Sequence, residues 1–528
     1  MKNTISNLKI TVLSIFVLIV TGSCEDLLKE EPLTQIGTEF FYQNETDALS
    51  GLTGAYAQLK SGNGYYRQQW LSNILAASDQ GTSSWQHGEF ITGNITNTNP
   101  ILPRSWIEIY AAIRDANNVI ANVPLIEGID TELQNRIVGE ARFLRALHYF
   151  NLVRTFGEVP LRTEPIKPGD YDGLPVSDVV AIYEVILADL TFAVENCWGR
   201  EENRNGYNND LGRATDAAAH ALLTKVYLRI ASSKRTALTG TIGNTRYLSF
   251  PEDIGFYYQK AIDHADEMIV SPGYQLTGTI DEWTGLFDAD NGNNPEMIFD
   301  IQGSALTEQG TAVSNLFSPR QAGLSGGGWG GVNKFIGRFI INQVDINDPR
   351  FTNSIIKEYE DITTTYVLNP ASTGYLRTIR TTGESLNPLY VIFTSKYIDR
   401  SATTEYTSRQ NWHVIRLADV HLMRAEAMAE VNGNPSMANA DINLLRSRVD
   451  MLAFDGAGMS IEAFRVNILR ERAAELSMEG HRFFDLTRMG VYNDYCVLVL
   501  NATRGVRDPE DYNWPIPLIE SSANEAID

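Results

Sequence analysis

Apolar residues return every three or four positions along most of the first half of this chain and again toward its end. In RIVGEARFLRALHYFNLVRTFG, Ile137, Ala141, Leu144, Leu147 (or His148) and Leu152 fall on one helical face, and Gly157 offers a C-terminal stop. That spacing predicts a long amphipathic helix. The same periodicity predicts helices over residues 46–60, 65–77, 105–123, 176–197, 214–231, 253–270, 413–431 and 461–478. In AHALLTKVYLRIA followed by YYQKAIDHADEMI, small residues stand where two helices would touch and aromatics where a third would cover them. This pair resembles a tetratricopeptide unit, as does LADVHLMRAEAMAEVNGNPSMANADINLLRSRV. About 20 residues of loop interrupt the first pair. The expected architecture is therefore a helical scaffold with loop insertions rather than a regular solenoid.

From about residue 271 to 410 the texture changes to Gly, Asn, Thr, Ser and Pro, with short extended candidates in EMIFDIQ and YVIFTSKY. Long irregular insertions on a rigid scaffold usually carry function, so binding is expected there and in the comparable loop 79–103. The organisation read from the chain is mainly α. Residues 46–528 form one expected domain, with its scaffold over about 46–270 and 411–490 and an irregular binding insertion over about 271–410.

The N-terminus changes the picture. Lys2 and Lys9 precede an almost unbroken apolar run from Ile10 to Val20, shorter than the roughly 20 residues a spanning helix needs. It reads as a secretory signal over residues 1–23. Thr21, Gly22 and Ser23 are small, and Cys24 follows them as the acylated cysteine follows a bacterial lipobox. Acyl chains on that thiol, each buried CH₂ adding about 0.8 kcal/mol, would hold the protein on a membrane. Glu25, Asp26, Glu30 and Glu31 make an acidic stretch in the tether expected over residues 24–45. The formal charge of −22 becomes about −24 without the two leader lysines, which excludes nucleic acid and a polybasic grip on anionic lipid. Three cysteines are too few for a disulfide framework, so Cys197 and Cys496 are expected as buried thiols.

Catalytic motifs dissolve on inspection. Gly323-Leu324-Ser325-Gly326-Gly327 has the spacing of a nucleophile elbow but lacks the strand before and the helix after it. DADNGNNPE (288–296) puts Gly292 where a calcium loop needs an oxygen ligand and Asn293 where it needs glycine. A simple turn is expected there. His148, His220 and His264 lie in helical stretches among apolar or small neighbours and read as structural. No HExxH, Walker or CxxC pattern occurs, so neither cofactor nor metal is expected. In ILRERAAELSMEGHRFFDLTRMG, Arg470, Glu471, Arg472, Glu475, Glu479 and Arg482 recur at three- and four-residue steps, predicting an ion-pair network that closes the fold.

Six short patterns then occur in order. They are Cys24-Glu25-Asp26-Leu27-Leu28, Trp106-x-x-x-Tyr110-x-x-Ile113-x-x-Ala116-Asn117, and EARFLRALHYFNLVRTFGEVP over 140–160. Arg416-Leu417-Ala418-Asp419 through Ala427, Arg470-Glu471-Arg472 through Arg482, and Trp514-Pro515-Ile516-Pro517 complete them. Together they resemble the SusD/RagB family of Bacteroidetes outer-membrane lipoproteins. The resemblance implies a tetratricopeptide-like scaffold, tethered by lipid at the cell surface, that sits as a lid over a SusC-like TonB-dependent barrel. It implies capture of oligosaccharides, or in the RagB branch peptides, without chemistry. The tail SSANEAID departs from the family's usual Asn/Gln-rich, Tyr-terminated ending. The competing reading is a secreted α-helical glycosidase, which requires two carboxylates about 5 to 9.5 Å apart in a cleft.

Sugar CH faces pack on aromatic rings while hydroxyls need amide, carboxylate or guanidinium partners. Two loops hold that mix: Trp85 with Asp79 and His87, and Trp329 with Arg320 and Asn333. Trp283 and Tyr375 are further candidates, and the helix-embedded Trp106 is expected to be buried.

Overall fold

A computed structural model describes residues 41–527 apart from 83–86, 168–172, 205–206, 209–210, 240–242, 307–308, 320–332, 336–338, 340–342, 346, 357, 362–363, 370–376, 381–391, 405 and 499–506. Seven principal helices precede the irregular region: α1 Glu45–Ala57, α2 Gln69–Ala76, α3 Leu102–Asn122, α4 Thr131–Phe156, α5 Val179–Asn196, α6 Asp216–Ala237 and α7 Ile254–Ile269. Within that region lie the short helices α8 Ile280–Gly285 and α9 Pro349–Asn353. After it come α10 Leu417–Asn432, α11 Asn439–Ser447, α12 Ile461–Glu475 and α13 Arg482–Arg488. The fold is mainly α.

The helix starts follow from local chemistry. Side chains of Asn44, Asp130, Asp178, Thr215, Asp253 and Ser460 accept hydrogen bonds from first-turn N–H groups that have no partner inside their helices. Gly157 ends α4 at φ 80°, as its place in the sequence predicts. Helix α4 packs between α3 and α5, α6 pairs with α7, and α7 and α11 both pack on α10. Both pairs read as tetratricopeptide-like are thus helical hairpins.

Two expected helix starts are strands: Val176–Ser177 precedes α5, and a longer strand precedes α10. The sequence reading starts a helix at His413, whereas Trp412–Arg416 is a strand and the helix begins at Leu417. This strand, β4, pairs antiparallel with β2, Met297–Ile301 from EMIFDIQ, and every residue of both is buried. A strand buried on both faces has no alternation, and five apolar-rich residues before a helix look like its first turn. Among its described residues YVIFTSKY supplies isolated bridges, at Ile392 and Thr394.

Polar fasteners join the helices at the ordered sequence patterns. Arg145 of α4 makes a bidentate pair with Asp189 of α5 (2.7 and 2.8 Å) and donates to Asn117 Oδ1 of α3 (2.8 Å). Tyr110 donates to the Pro160 carbonyl (2.8 Å), and the Trp514 N–H donates to the Thr155 carbonyl (2.7 Å). Glu140 accepts from Arg136 (2.8 Å) and from the Tyr56 hydroxyl (2.7 Å), tying α4 to α1.

The segment 470–482 closes the fold as an ion-pair network. Arg416, fully buried, bonds Glu296 (2.8 Å), Glu475 (2.7 Å) and Glu479 (2.8 Å). Arg350 bridges Asp348, Glu471 and Glu475, and Lys396 pairs with Glu479 (2.7 Å). Burial alone would raise the Glu479 carboxyl, but Arg416 and Lys396 outweigh it and hold it at about 2. Gly480, at φ 81°, turns the chain into α13 where a Cβ would stand 3.0 Å from Ile74 Cδ1. Cys197 and Cys496 are buried, as expected.

Candidate functional site

The two expected tryptophan loops are joined at their bases. Gly81–Thr82 (β1) pairs antiparallel with Lys334–Phe335 (β3), with Thr82 opposite Lys334. On its other side Phe335 N–H donates to the Ile392 carbonyl (2.9 Å). The Asn333 N–H donates to the Leu316 carbonyl (2.9 Å), closing the base of the second loop. Trp85 lies three residues beyond Thr82, and Trp329 five residues before Lys334. Both tryptophans, with Arg320 and Tyr375, fall outside the described residues, as does the Gly323–Gly327 run.

Three of their expected polar companions, Asp79, His87 and Asn333, are interior, which corrects the sequence reading. Asp79 is fully buried and grips Arg482 through both oxygens (2.9 Å each). His87 is buried, with Nδ1 2.7 Å from Asn73 Oδ1, and burial draws its imidazole down to about 4. It is neutral at pH 7. Gln80 accepts from the Met478 N–H (3.0 Å). Asp79 and His87 therefore anchor the two ends of the first loop instead of facing solvent. Asn333 is fully buried, and its side-chain amide has no hydrogen-bond partner among the described residues. Trp283 is fully buried too, its Nε1–H donating to Glu475 Oε1 (2.9 Å), and Lys396 lies 5.1 Å over its ring. Asp79 and Trp283 each meet a partner that folding brings from far along the chain, so loop context in the sequence did not reveal them. Trp106 is buried at 2% exposure, as expected.

A cleft of about 710 Å³ opens beside this frame, within the usual range for small-ligand sites. The segment carrying Ile392 leads into it: Thr394 bridges Ile355, the Ser395 N–H donates to the Ser354 carbonyl (2.8 Å), and Ser395 and Lys396 line the wall. Helix α8 and the turn after it contribute Asp281, the buried Trp283, Asp288 and Asp290 to the lining, which also includes Asn353, Asp399, Arg400 and Arg409. Arg409 pairs with Asp290 at the rim (2.6 Å). Asp399 accepts from the Ser401 N–H (2.8 Å), the Ser401 hydroxyl (2.6 Å), the Arg409 N–H (2.7 Å) and the Ser408 hydroxyl (3.1 Å). Burial alone would raise this carboxyl, but those bonds hold it below its usual range. It is an acceptor that shapes the wall, not a proton donor. DADNGNNPE forms a turn in which Asp288 Oδ1 accepts from the Asp290 N–H (3.0 Å). No sequence signal marks the cleft, because its walls come from four stretches with no common period.

Tyr406 is a further residue the sequence did not single out. It holds a left-handed backbone (φ 61°), unusual for an aromatic residue, and the Arg67 guanidinium lies 3.7 Å from its ring centroid. Its carbonyl accepts from the Gly310 N–H (2.9 Å) at the approach to the second loop. Non-glycine residues held in this backbone region cluster at functional sites.

Two profiles match the chain: one for the SusD family over residues 259–526, and one described as starch-binding and associating with the outer membrane over 28–228. The chain belongs to the SusD family. A SusD-like protein of Formosa agariphila is 25% identical, the match covering 97% of this chain and 96% of that one. Another from Bacteroides ovatus is 25% identical across 76% of this chain and 68% of its own. Among solved structures, a laminarin-binding SusD-like protein superposes with TM-score 0.71 at 26% identity, covering 92% of this chain and 99% of that one. A SusD superfamily protein from Parabacteroides distasonis gives 0.71 at 22%, covering 94% and 99%. Among the described residues no helix is long and apolar enough to cross a membrane, and no three His, Cys, Asp or Glu side chains form a group that could hold a metal ion.

Proposed function

We propose that this protein is a lipid-anchored, cell-surface glycan-binding protein that hands oligosaccharides to a SusC-like TonB-dependent transporter in the outer membrane. The observation that carries the reading is the junction of β1 and β3. On a SusD-family fold, it ties a loop bearing Trp85 to a loop bearing Trp329, with a polar cleft alongside. Rings would pack on sugar faces, while the carboxylates, amides and guanidiniums of the cleft would take the hydroxyls. Arg320 and Tyr375 belong to the same proposed platform; Asp79 and His87 hold its base. Nothing in the reading requires bond cleavage. The laminarin-binding relative makes laminarin oligosaccharides the first ligands to test.

The test is calorimetry with the soluble protein beginning after Cys24, against a glycan panel with peptides in the same screen. The double change Trp85→Ala with Trp329→Ala should weaken glycan binding by about 1–3 kcal/mol while barely moving the melting temperature. Unchanged affinity would remove the tryptophans from the site. Release of shorter sugars from any bound glycan by the pure protein would favour the glycosidase reading instead.

A further inference from the structure

Helices α4 and α6 carry two arginines whose charge no described side chain neutralises. Arg154 and Arg229 are 8% and 6% exposed, and among the described residues neither pairs with a carboxylate. Arg154 donates from Nε and Nη2 to Asn151 Oδ1 (3.1 and 2.6 Å). Arg229 donates from Nε to the Tyr247 hydroxyl (3.4 Å) and from Nη1 to the Phe484 carbonyl (3.2 Å) and Thr487 Oγ1 (3.3 Å). Nη1 of Arg154 and Nη2 of Arg229 have no hydrogen-bond partner among the described residues. The two guanidinium carbons lie 3.8 and 6.0 Å from the Phe484 ring centroid.

The surroundings deepen the imbalance. Lys225 pairs with Asp419, Arg472 with Asp419 and Asp485, and Arg488 with Glu426 and Asp485. Four buried arginines and the partly buried Lys225 thus face three carboxylates. A guanidinium cannot shed its proton to escape. Burial, with Arg229 adding its repulsion, draws Arg154 down only to about 10. Ring faces and the carbonyls at the end of α4 offset only part of the cost of two buried like charges. Both arginines line one small cavity of about 20 Å³, and no carboxylate is among its described lining residues. Ser233, whose hydroxyl makes no hydrogen bond among the described residues, lines it too.

We infer that this cavity is a halide site, holding one monatomic monovalent anion such as chloride between Arg154 Nη1 and Arg229 Nη2, with the Ser233 hydroxyl as third donor. The volume has room for one water or one such ion and excludes sulfate, phosphate and carboxylates. Because Pro509, Tyr512 and Asn513 line the same cavity, the anion fastens the C-terminal segment to α4 and α6.

Crystals of the mature protein soaked in bromide should show one anomalous peak in this cavity. The melting temperature should rise with chloride or bromide, by on the order of 2 °C at saturation, and not with gluconate at equal ionic strength. Ser233→Ala, which removes a donor and no charge, should shift the half-maximal halide concentration upward at least threefold. Arg229→Met, if it folds, should abolish the halide response. A cavity holding only water in the bromide crystals, or equal rises in chloride and gluconate, would overturn the assignment.

Discussion

Trp283 hydrogen-bonds a carboxylate of the central ion network while a lysine covers its ring. Truncating it would open a cavity and leave Glu475 short of a donor. Trp283→Ala should therefore cost about 3–5 kcal/mol in urea unfolding, with Trp106→Ala in the same range. The same change at Trp85 or Trp329 should leave the unfolding midpoint nearly unmoved and act on ligand binding alone. Arg416 is the sharper case. It serves three carboxylates, so Arg416→Met takes one buried cation from each of Glu296, Glu475 and Glu479, leaving Arg448, Arg350 and Lys396 to hold them, and should destabilise by about 3–5 kcal/mol. A loss under 1 kcal/mol would mean that water reaches the network.

At the scale of elements, the first loop is held as a strap with two anchors. Asp79 ties its start to α13 through Arg482, and His87 ties its end to α2 through Asn73. Asp79→Asn keeps the volume but removes the charge that faces the guanidinium. Hydrogen exchange across residues 81–88 should speed up, and glycan affinity should fall severalfold although Asp79 touches no ligand. Normal exchange with lost affinity would make Asp79 a direct contact and contradict its burial.

The whole molecule should be sensitive to acid. Burial holds the imidazole of His87 at about 4 and those of His148 and His481 at about 3, against about 6.5 in the unfolded chain. Below pH 6.5 the unfolded state takes up protons that these three sites refuse. Their contribution is complete above pH 6.5 and is lost as pH falls toward 4 and then 3. Glu479 and Asp485, held at about 2 against burial by their arginine and lysine partners, extend the loss below the ordinary carboxylate range. Stability measured by urea unfolding should drop by on the order of several kcal/mol between pH 7 and pH 4. A flat profile over that window would contradict the burial of these rings. Export makes a separate prediction: Cys24→Ala should release the protein from the membrane with its fold unchanged, followed by metabolic labelling with a fatty acid. A SusC-like barrel should co-purify with the wild type from detergent extracts of the outer membrane.

Sequence alone determined the helical scaffold, because amphipathic periodicity, cap residues and glycine stops are local and leave their mark within a few turns. The ion-pair closure was legible in 470–482 for the same reason, as were the buried cysteines and the turn at DADNGNNPE. The six ordered patterns named the family, yet the residues in them that can be followed, such as Arg145, Tyr110, Arg416 and Trp514, are fasteners between helices. They speak of the fold and not of the ligand. What only the tertiary structure decided is which polar residue is spent on folding. Asp79, Asn333 and Trp283 look like binding residues in their loops, and His413 like a helix start. Each is interior, and for Asp79, Trp283 and His413 the decisive partner comes from far along the chain: Arg482, Glu475 and the strand Met297–Ile301. The pairing of Thr82 with Lys334, the cleft walls and the uncompensated Arg154 and Arg229 have the same origin. Burial and charge balance are sums over neighbours that the linear order does not contain.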